Sequence, residues 1–170
     1  MGGGLALAIA ADYPQIPSQI VIVDALPCLA AMQNPAFVSN PSIDCSPIVN
    51  QFKEMKDADF KAMQLKNMPQ LLADTSKLNT VVNWSVRSDK TTLATIYCDF
   101  SNTDLREKIK GITCPALILL EAQFINLKPA IADQYKNLNA PQLNYANQGR
   151  HFIMYDDKKW YLQQLSAFIK

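Results

Sequence analysis

The sequence predicts an α/β fold, in which a parallel sheet is covered by flanking helices and interrupted by one inserted helical block. Two short, continuous apolar runs, QIVIVD at residues 19–24 and CPALILLE at residues 114–121, are typical of parallel strands that are buried on both faces. Helix-like segments lie before and after each run, and this alternation is the pattern of parallel α/β sheets. Between the runs, residues 39–101 carry apolar side chains at helical spacing and contain no strand-like run.

The first predicted element is a helix over residues 1–13, MGGGLALAIAADY, which ends before Pro14. The helix is nearly all apolar, whereas the first element of a free-standing chain usually needs a polar face. We therefore expect further residues to precede Met1 in the complete protein. The first strand follows, and the chain then turns away from the sheet.

The helical block is assigned to residues 30–101, and the sheet-containing core to residues 1–29 and 102–170. After the block, residues 102–112 are predicted to form a helix, with Asp104 in its first turn, where a carboxylate favours the positive end of the helix dipole. Gly111 is expected to end this helix before the second strand begins.

The rest of the chain repeats the same alternation. Residues 128–138 have a plausible helix start with a proline near the first position, residues 142–146 form a third short strand-like run, and residues 159–169 form an amphipathic helix. Asp156 and Asp157 are expected to begin this last helix.

His151 is the only histidine of the chain and follows a Gln-Gly-Arg turn at the end of the third predicted strand. Gly149 relieves the backbone at the turn, and Phe152 and Ile153 bury the segment that follows, so the imidazole is fixed at the carboxyl edge of the sheet. A histidine at this edge is either catalytic or a hydrogen-bonded structural residue. The segment alone does not distinguish these two interpretations.

The composition excludes several classes of function. Sixteen basic and fifteen acidic residues give a formal net charge of +1 without a dense basic run, so no nucleic-acid partner is expected. No apolar run reaches the roughly 20 residues of a membrane span, and we expect any targeting segment to lie outside these residues. Cys28, Cys45, Cys98 and Cys114 have no CxxC spacing and are interpreted as buried thiols; disulfides are possible but are not indicated by the spacing. Because His151 has no second histidine or closely spaced cysteine beside it, no metal or organic cofactor is expected.

The order of these elements resembles the carboxyl-terminal portion of the α/β-hydrolase superfamily. Five pieces carry the resemblance: MGG at residues 1–3, LALAIAADYP at 5–14, IVIVDALP at 20–27, TDLREKIKGITCPALILL at 103–120 and HFIMYDD at 151–157. The superfamily places its nucleophile in a Gly-x-Ser-x-Gly turn, commonly written Gly-His-Ser-Met-Gly-Gly, and MGG matches the residues that follow the serine. The resemblance covers the whole chain, and the helical block falls where the superfamily carries its lid.

The resemblance implies a serine nucleophile just before Met1, His151 as the base that takes its proton, and an oxyanion hole to which the amide of Met1 contributes. Hydrolysis of a carboxylic ester through an acyl-enzyme, on a small-molecule substrate, is the expected reaction. The 170 residues alone are expected to be inactive. The alternative is a catalytically inert truncated fragment, or a binding module that reuses the fold, with self-association through an exposed sheet edge.

Three carboxylates are candidates for the acid that would orient His151. In the superfamily this acid most often lies a few residues past the strand that CPALILLE resembles, and AQFINLKP holds no carboxylate there. We favour Asp24, because some lipases of the superfamily place the acid after the strand that follows the elbow helix. Glu121 and Asp104 are the alternatives, although Asp104 is also explained as a helix-dipole residue.

Overall fold

The computed structural model describes residues 1–169, and its three strands form one parallel sheet. The strands are β1 (Ile20–Val23), β2 (Ala116–Leu120) and β3 (Gln142–Tyr145), arranged in the order β1-β2-β3. Ile118 lies at the centre of β2, opposite Ile22 of β1 and Leu143 of β3. The predicted parallel α/β fold is confirmed.

The central strand β2 is the most deeply buried element. All five of its residues are buried, because the strands on either side and the covering helices leave it no exposed face. This explains its unbroken apolar sequence. The core around it contains side chains from several elements, including Leu7, Ile22, Ile109, Ile112, Ile131 and Tyr135.

The first helix, α1 (Gly2–Asp12), packs closely against the end of β1 because it begins with glycines. A Cβ atom on Gly3 would lie 2.6 Å from the Cβ of Ala25, and one on Gly4 would lie 2.6 Å from the ring of Phe100. Neither contact is sterically acceptable. The glycines therefore set the distance between α1 and its neighbours.

The helical block contains four helices and no strand in residues 30–101, all of which the structure describes. The helices are α2 (Ser46–Glu54), α3 (Asp57–Asn67), α4 (Leu78–Arg87) and α5 (Lys90–Ser101). Short 3-10 turns lie at Ala30–Met32, Met68–Gln70 and Thr75–Lys77. The helical interpretation of this block is confirmed.

The remaining helices complete the alternation that the sequence predicts. They are α6 (Lys128–Gln134), α7 (Ile153–Asp156) and α8 (Lys158–Phe168), with 3-10 helices at Lys108–Gly111 and Ala122–Leu127. Among residues 1–169, no helix has both the length and the apolar character that crossing a membrane requires.

The predicted helix over residues 102–112 is wrong. Only Lys108–Gly111 is helical, as a short 3-10 segment. The carboxylate of Asp104 accepts bonds from the backbone amide of Arg106 (3.1 Å) and from its guanidinium (2.6 Å), which in turn donates to the carbonyls of Pro35 and Phe37. These side-chain bonds hold the segment in a turn, where an α-helix would have used its own backbone bonds.

The interpretation of all four cysteines as thiols is wrong for two of them. Cys45 and Cys98 form a disulfide that joins the start of α2 to α5, while Cys28 and Cys114 are free. The two bonded cysteines are 53 residues apart, so no local spacing marked them as a pair.

We expect the Cys45→Ser/Cys98→Ser double variant to be less stable than the oxidised protein by about 2 to 4 kcal/mol, because the disulfide restricts the unfolded chain. Urea unfolding measures the difference. Cys114→Ser, at a free thiol, serves as the control and should change the free energy of unfolding much less. Equal unfolding midpoints for the double variant and the oxidised protein would contradict the expectation.

Candidate active site

The structure brings Asp24 and His151 together at the carboxyl edge of the sheet. Asp24 directly follows β1, and its amide continues the ladder by donating to the carbonyl of Leu119 at 2.7 Å. His151 lies just beyond β3. Its Nδ1 lies 2.7 Å from Oδ2 of Asp24, across a sequence separation of 127 residues. The Asp24 side chain is 5% exposed and the imidazole 39% exposed, so the acid is buried while the ring is open to solvent on one side.

Three features fix the position of the Asp24 carboxylate. The residue has a φ of 46°, a left-handed conformation that is uncommon outside glycine but is tolerated by aspartate. Its second oxygen, Oδ1, accepts the backbone amide of Glu121 at 2.8 Å. The buried hydroxyl of Tyr135 donates to the carbonyl of Ala25 at 2.6 Å and so anchors the next residue. Backbone strain of this kind is commonly found at functional sites.

The imidazole is held by the loop on both sides of it. Gly149 adopts a φ of 98°, which confirms the expected relief of the backbone at the turn. The ring of Phe152 packs edge-to-face on the imidazole, with 5.4 Å between ring centroids. Because a carboxylate only accepts hydrogen bonds, Nδ1 is the protonated nitrogen and Nε2 of the neutral ring is left as an acceptor.

The amino end of α1 lies at the same edge of the sheet. Gly3 is in contact with Ala25, the residue after Asp24. Burial lowers the pKa of the Met1 amino group, and the carboxylate of Asp24 partly offsets this by favouring the charged amine. Met1 therefore lies near Asp24, which in turn contacts His151.

The backbone amide of Glu121 donates to the carboxylate of Asp24. The side-chain carboxyl group of Glu121 lies near the charged groups of Asp24, His151 and Arg150. Burial raises the pKa of Glu121 to about 7, and the negative charge of Asp24 acts in the same direction. His151 and Arg150 oppose the shift. Glu121 does not hydrogen-bond to His151 within the described residues.

This raised pKa predicts a pH-dependent loss of stability. Between pH 4.5 and about 7 the folded state binds more protons at Glu121 than the unfolded state does, so the stability present below pH 4.5 is lost as the pH rises through 7. The shift corresponds to about 3 kcal/mol at most, and solvent screening at this partly exposed group reduces it to about 1 to 2 kcal/mol. The free energy of unfolding, measured in urea at pH 5 and pH 8, should differ less between the two pH values in Glu121→Gln than in the wild type. The control Glu54→Gln, at an exposed glutamate, should retain the wild-type dependence.

Asp104 lies in a different set of contacts. It forms an ion pair with Arg106, with 2.6 Å between Nη2 and Oδ2, and this bond lowers the pKa of its carboxyl group. The structure gives it no contact with His151.

The contacts of Asp156 are not apparent from the sequence. The last helix begins at Lys158, and Asp156 is the final residue of α7. Its carboxylate accepts the amide of Arg150 at 2.8 Å and that of Asp74 at 2.8 Å. Nothing in the local sequence could indicate the second contact, because Asp74 lies 82 residues away.

An apolar groove of about 520 Å³ lies between α1 and α5 and reaches Met1. Its apolar lining includes Leu5, Ala8, Ile96 and Phe100. Within residues 1–169, no three histidine, cysteine, aspartate or glutamate side chains are grouped as a metal site would require.

Comparisons with known proteins agree on the fold. No protein-family model matches the chain, and no curated protein matches its sequence. The chain is similar in structure to an enol-lactonase from Burkholderia xenovorans LB400, with a TM-score of 0.74 and 15% identity. It is also similar to an esterase from Exiguobacterium antarcticum, with a TM-score of 0.68 and 15% identity, and to an α/β-hydrolase enzyme from a deep-sea metagenome, with a TM-score of 0.60 and 16% identity.

The likeness extends over nearly the whole chain but over only part of each neighbour. The three matches cover 99%, 98% and 99% of this chain, and the chain spans 62% of the length of each of these proteins. Residues 1–169 thus have the fold of the α/β-hydrolase superfamily, in an incomplete form.

Proposed function

We propose that this chain is the carboxyl-terminal portion of a serine hydrolase, in which residues encoded before Met1 supply the nucleophile. The observation that carries the proposal is the bond between the buried Asp24 carboxylate and Nδ1 of His151, at the sheet edge where α1 begins. A carboxylate, an imidazole and the amino end of the helix after the nucleophile are the parts that acyl transfer uses in this fold.

In the proposed mechanism His151 is the general base. Asp24 holds the ring with Nδ1 protonated, which leaves Nε2 to take the serine proton as the hydroxyl attacks the ester carbonyl. Asp24 also stabilises the imidazolium that forms. Nε2 then gives the proton to the leaving alcohol, and water hydrolyses the acyl-enzyme by the same route.

The amide of Met1 is proposed as one donor of the oxyanion hole. It lies at the start of α1, where backbone amides point out of the helix and the helix dipole favours negative charge. Gly2 and Gly3 keep this end of the helix free of side chains. A second donor would come from residues outside the chain.

We further propose that residues 30–101 form a lid and that the substrate has an apolar acyl or alcohol group. The groove beside Met1 supports this, because α5 of the helical block forms one wall and α1 the other. An esterase and an enol-lactonase are among the similar structures, which supports an ester-type substrate.

The proposal is tested by labelling with a serine-directed phosphonate. We expect the nucleotide sequence before the Met1 codon to encode an in-frame Gly-x-Ser, and the correspondingly longer protein to hydrolyse an activated short-chain ester. The phosphonate should modify the serine before Met1. The 170-residue chain, which lacks this serine, should remain unmodified. A folded longer protein that is neither labelled nor active would refute the proposal.

The alternative proposal is an inert fragment or binding module, and one observation favours it for the 170 residues alone. β1 is an edge strand of the sheet, and on α1 the side chains of Leu5 and Ile9 are 63% and 44% exposed. Unpaired strand edges and exposed apolar helices promote association.

We therefore expect the purified 170-residue chain to self-associate. Light scattering should give a mass that rises with concentration above that of one chain. Leu5→Lys, on the exposed face of α1, should reduce the association, whereas Lys61→Ala on the exposed surface of α3 should not. A measured mass that stays at that of one chain at every concentration would argue against association through an open sheet edge.

A further inference from the structure

Asp156 connects two segments that are far apart in the sequence. Its carboxylate accepts hydrogen bonds from the backbone amides of Ala73 (3.0 Å) and Asp74 (2.8 Å), which belong to the helical block. It also accepts the amide of Arg150 (2.8 Å), the residue immediately before His151. One side chain thus joins the helical block to the backbone that carries the imidazole.

Two further hydrogen bonds join the same segments on either side of the imidazole. The amide of Phe152 donates to the carbonyl of Leu71 at 3.1 Å, and the guanidinium of Arg150 donates to the carbonyl of Pro69. Both neighbours of His151 in the chain are therefore bonded to the helical block. These contacts flank the ring in the sequence, while the ring itself is bonded to Asp24.

The turn before His151 is shaped to admit Asp156. Gly149 has a φ of 98°, and a Cβ atom on it would lie 2.7 Å from the Cβ of Asp156. Any other residue at this position would displace the aspartate or the turn. The carboxylate thus occupies a space that the glycine leaves open.

We propose that Asp156 is a positioning residue, which acts through the backbone of Arg150 to place the imidazole of His151 against Asp24. The consequence for catalysis rests on the proposed hydrolase function, whereas the placement of the ring is a property of the chain itself. The proposal also makes the alignment of the ring dependent on the docking of segment 69–74 of the helical block.

The placement can be tested without any turnover. His151 is the only histidine, so a protein labelled with ¹⁵N-histidine gives one set of ring signals. We expect a slowly exchanging Nδ1 proton in the wild type, since its acceptor Asp24 is 5% exposed. In Asp156→Asn the amide group cannot accept all three backbone donors, and exchange should accelerate by about 10-fold or more.

The matched control is Asp157→Asn. Asp157 is the next residue, and its side chain caps no amide of α8. This variant should keep the wild-type exchange rate. An exchange rate in Asp156→Asn that equals the rate in Asp157→Asn would overturn the proposal.

A second pair of variants tests the same contact from its other side, should Asp156→Asn fail to fold. Asp74 has a φ of −73°, which suits proline, and its carboxylate caps Ser76. Asp74→Ala removes the cap alone, while Asp74→Pro also removes the amide that binds Asp156. Faster ring-proton exchange in the proline variant than in the alanine variant supports the proposal, and equal rates overturn it.

In the longer protein, Asp156→Asn should reduce kcat by about 10- to 100-fold with little change in KM, because a misplaced base affects the chemical step more than substrate binding. A raised KM with unchanged kcat would overturn the positioning role. Since the exchange measurement needs no activity, an inactive longer protein would count against the hydrolase function and leave the result on ring placement intact.

Discussion

The His151→Ala variant of the longer protein should hydrolyse an activated ester about 10⁴-fold more slowly than the wild type, or slower still. Without the imidazole, the site loses the proposed general base. The fold should persist, because the ring is 39% exposed and contributes little to the core. Steady-state kinetics measures the rate, and circular dichroism checks the fold.

Gln148→Ala is the appropriate control for this variant. Gln148 is an exposed residue on the same loop and makes no side-chain hydrogen bond within the described residues. Its replacement should leave turnover close to that of the wild type. If His151→Ala also retains near-wild-type turnover, His151 is not the base.

The Asp24→Asn variant should lose about 10²- to 10⁴-fold in kcat. The change preserves the size of the side chain but removes the charge that stabilises the imidazolium. An amide can also favour the wrong tautomer of the ring by donating to Nδ1. Steady-state measurements over a range of ester concentrations separate the loss in kcat from any change in KM.

Glu121→Gln and Asp104→Asn are the controls for the acid. Glu121 bonds Asp24 only through its backbone amide, which the substitution keeps, so a smaller loss of activity is expected. Asp104 is paired with Arg106, so its replacement should affect stability more than turnover. A larger loss of activity in Glu121→Gln than in Asp24→Asn would contradict the assignment of Asp24.

The elements that sequence reasoning predicted well are those with strong local patterns. β2 has a continuous apolar run because it lies at the centre of the sheet, β1 has a similar run beside it, and α1 has a nearly all-apolar sequence that ends before Pro14. In β2 this pattern reflects burial directly. The candidates for the acid that orients His151 came from the resemblance to a family. No local sequence pattern distinguishes one of these carboxylates from the others.

The features that were missed depend on contacts distant in sequence. Residues 102–112 carry capping-type residues, but Arg106 bonds to carbonyls about 70 residues earlier and prevents the helix. The disulfide between Cys45 and Cys98 and the bonds of Asp156 to the helical block are equally nonlocal. Local propensity contains no information on such partners.

The separation of Asp24 and His151 also bears on biosynthesis. Ribosomes add about 5 to 20 residues per second, so the 127 residues between the two side chains require roughly 6 to 25 s to emerge. Throughout that interval Asp24 lacks its imidazole partner, and until residues 116–120 emerge the nascent β1 also lacks its neighbour β2. We expect this segment to be the part of the newborn polypeptide that most needs a chaperone.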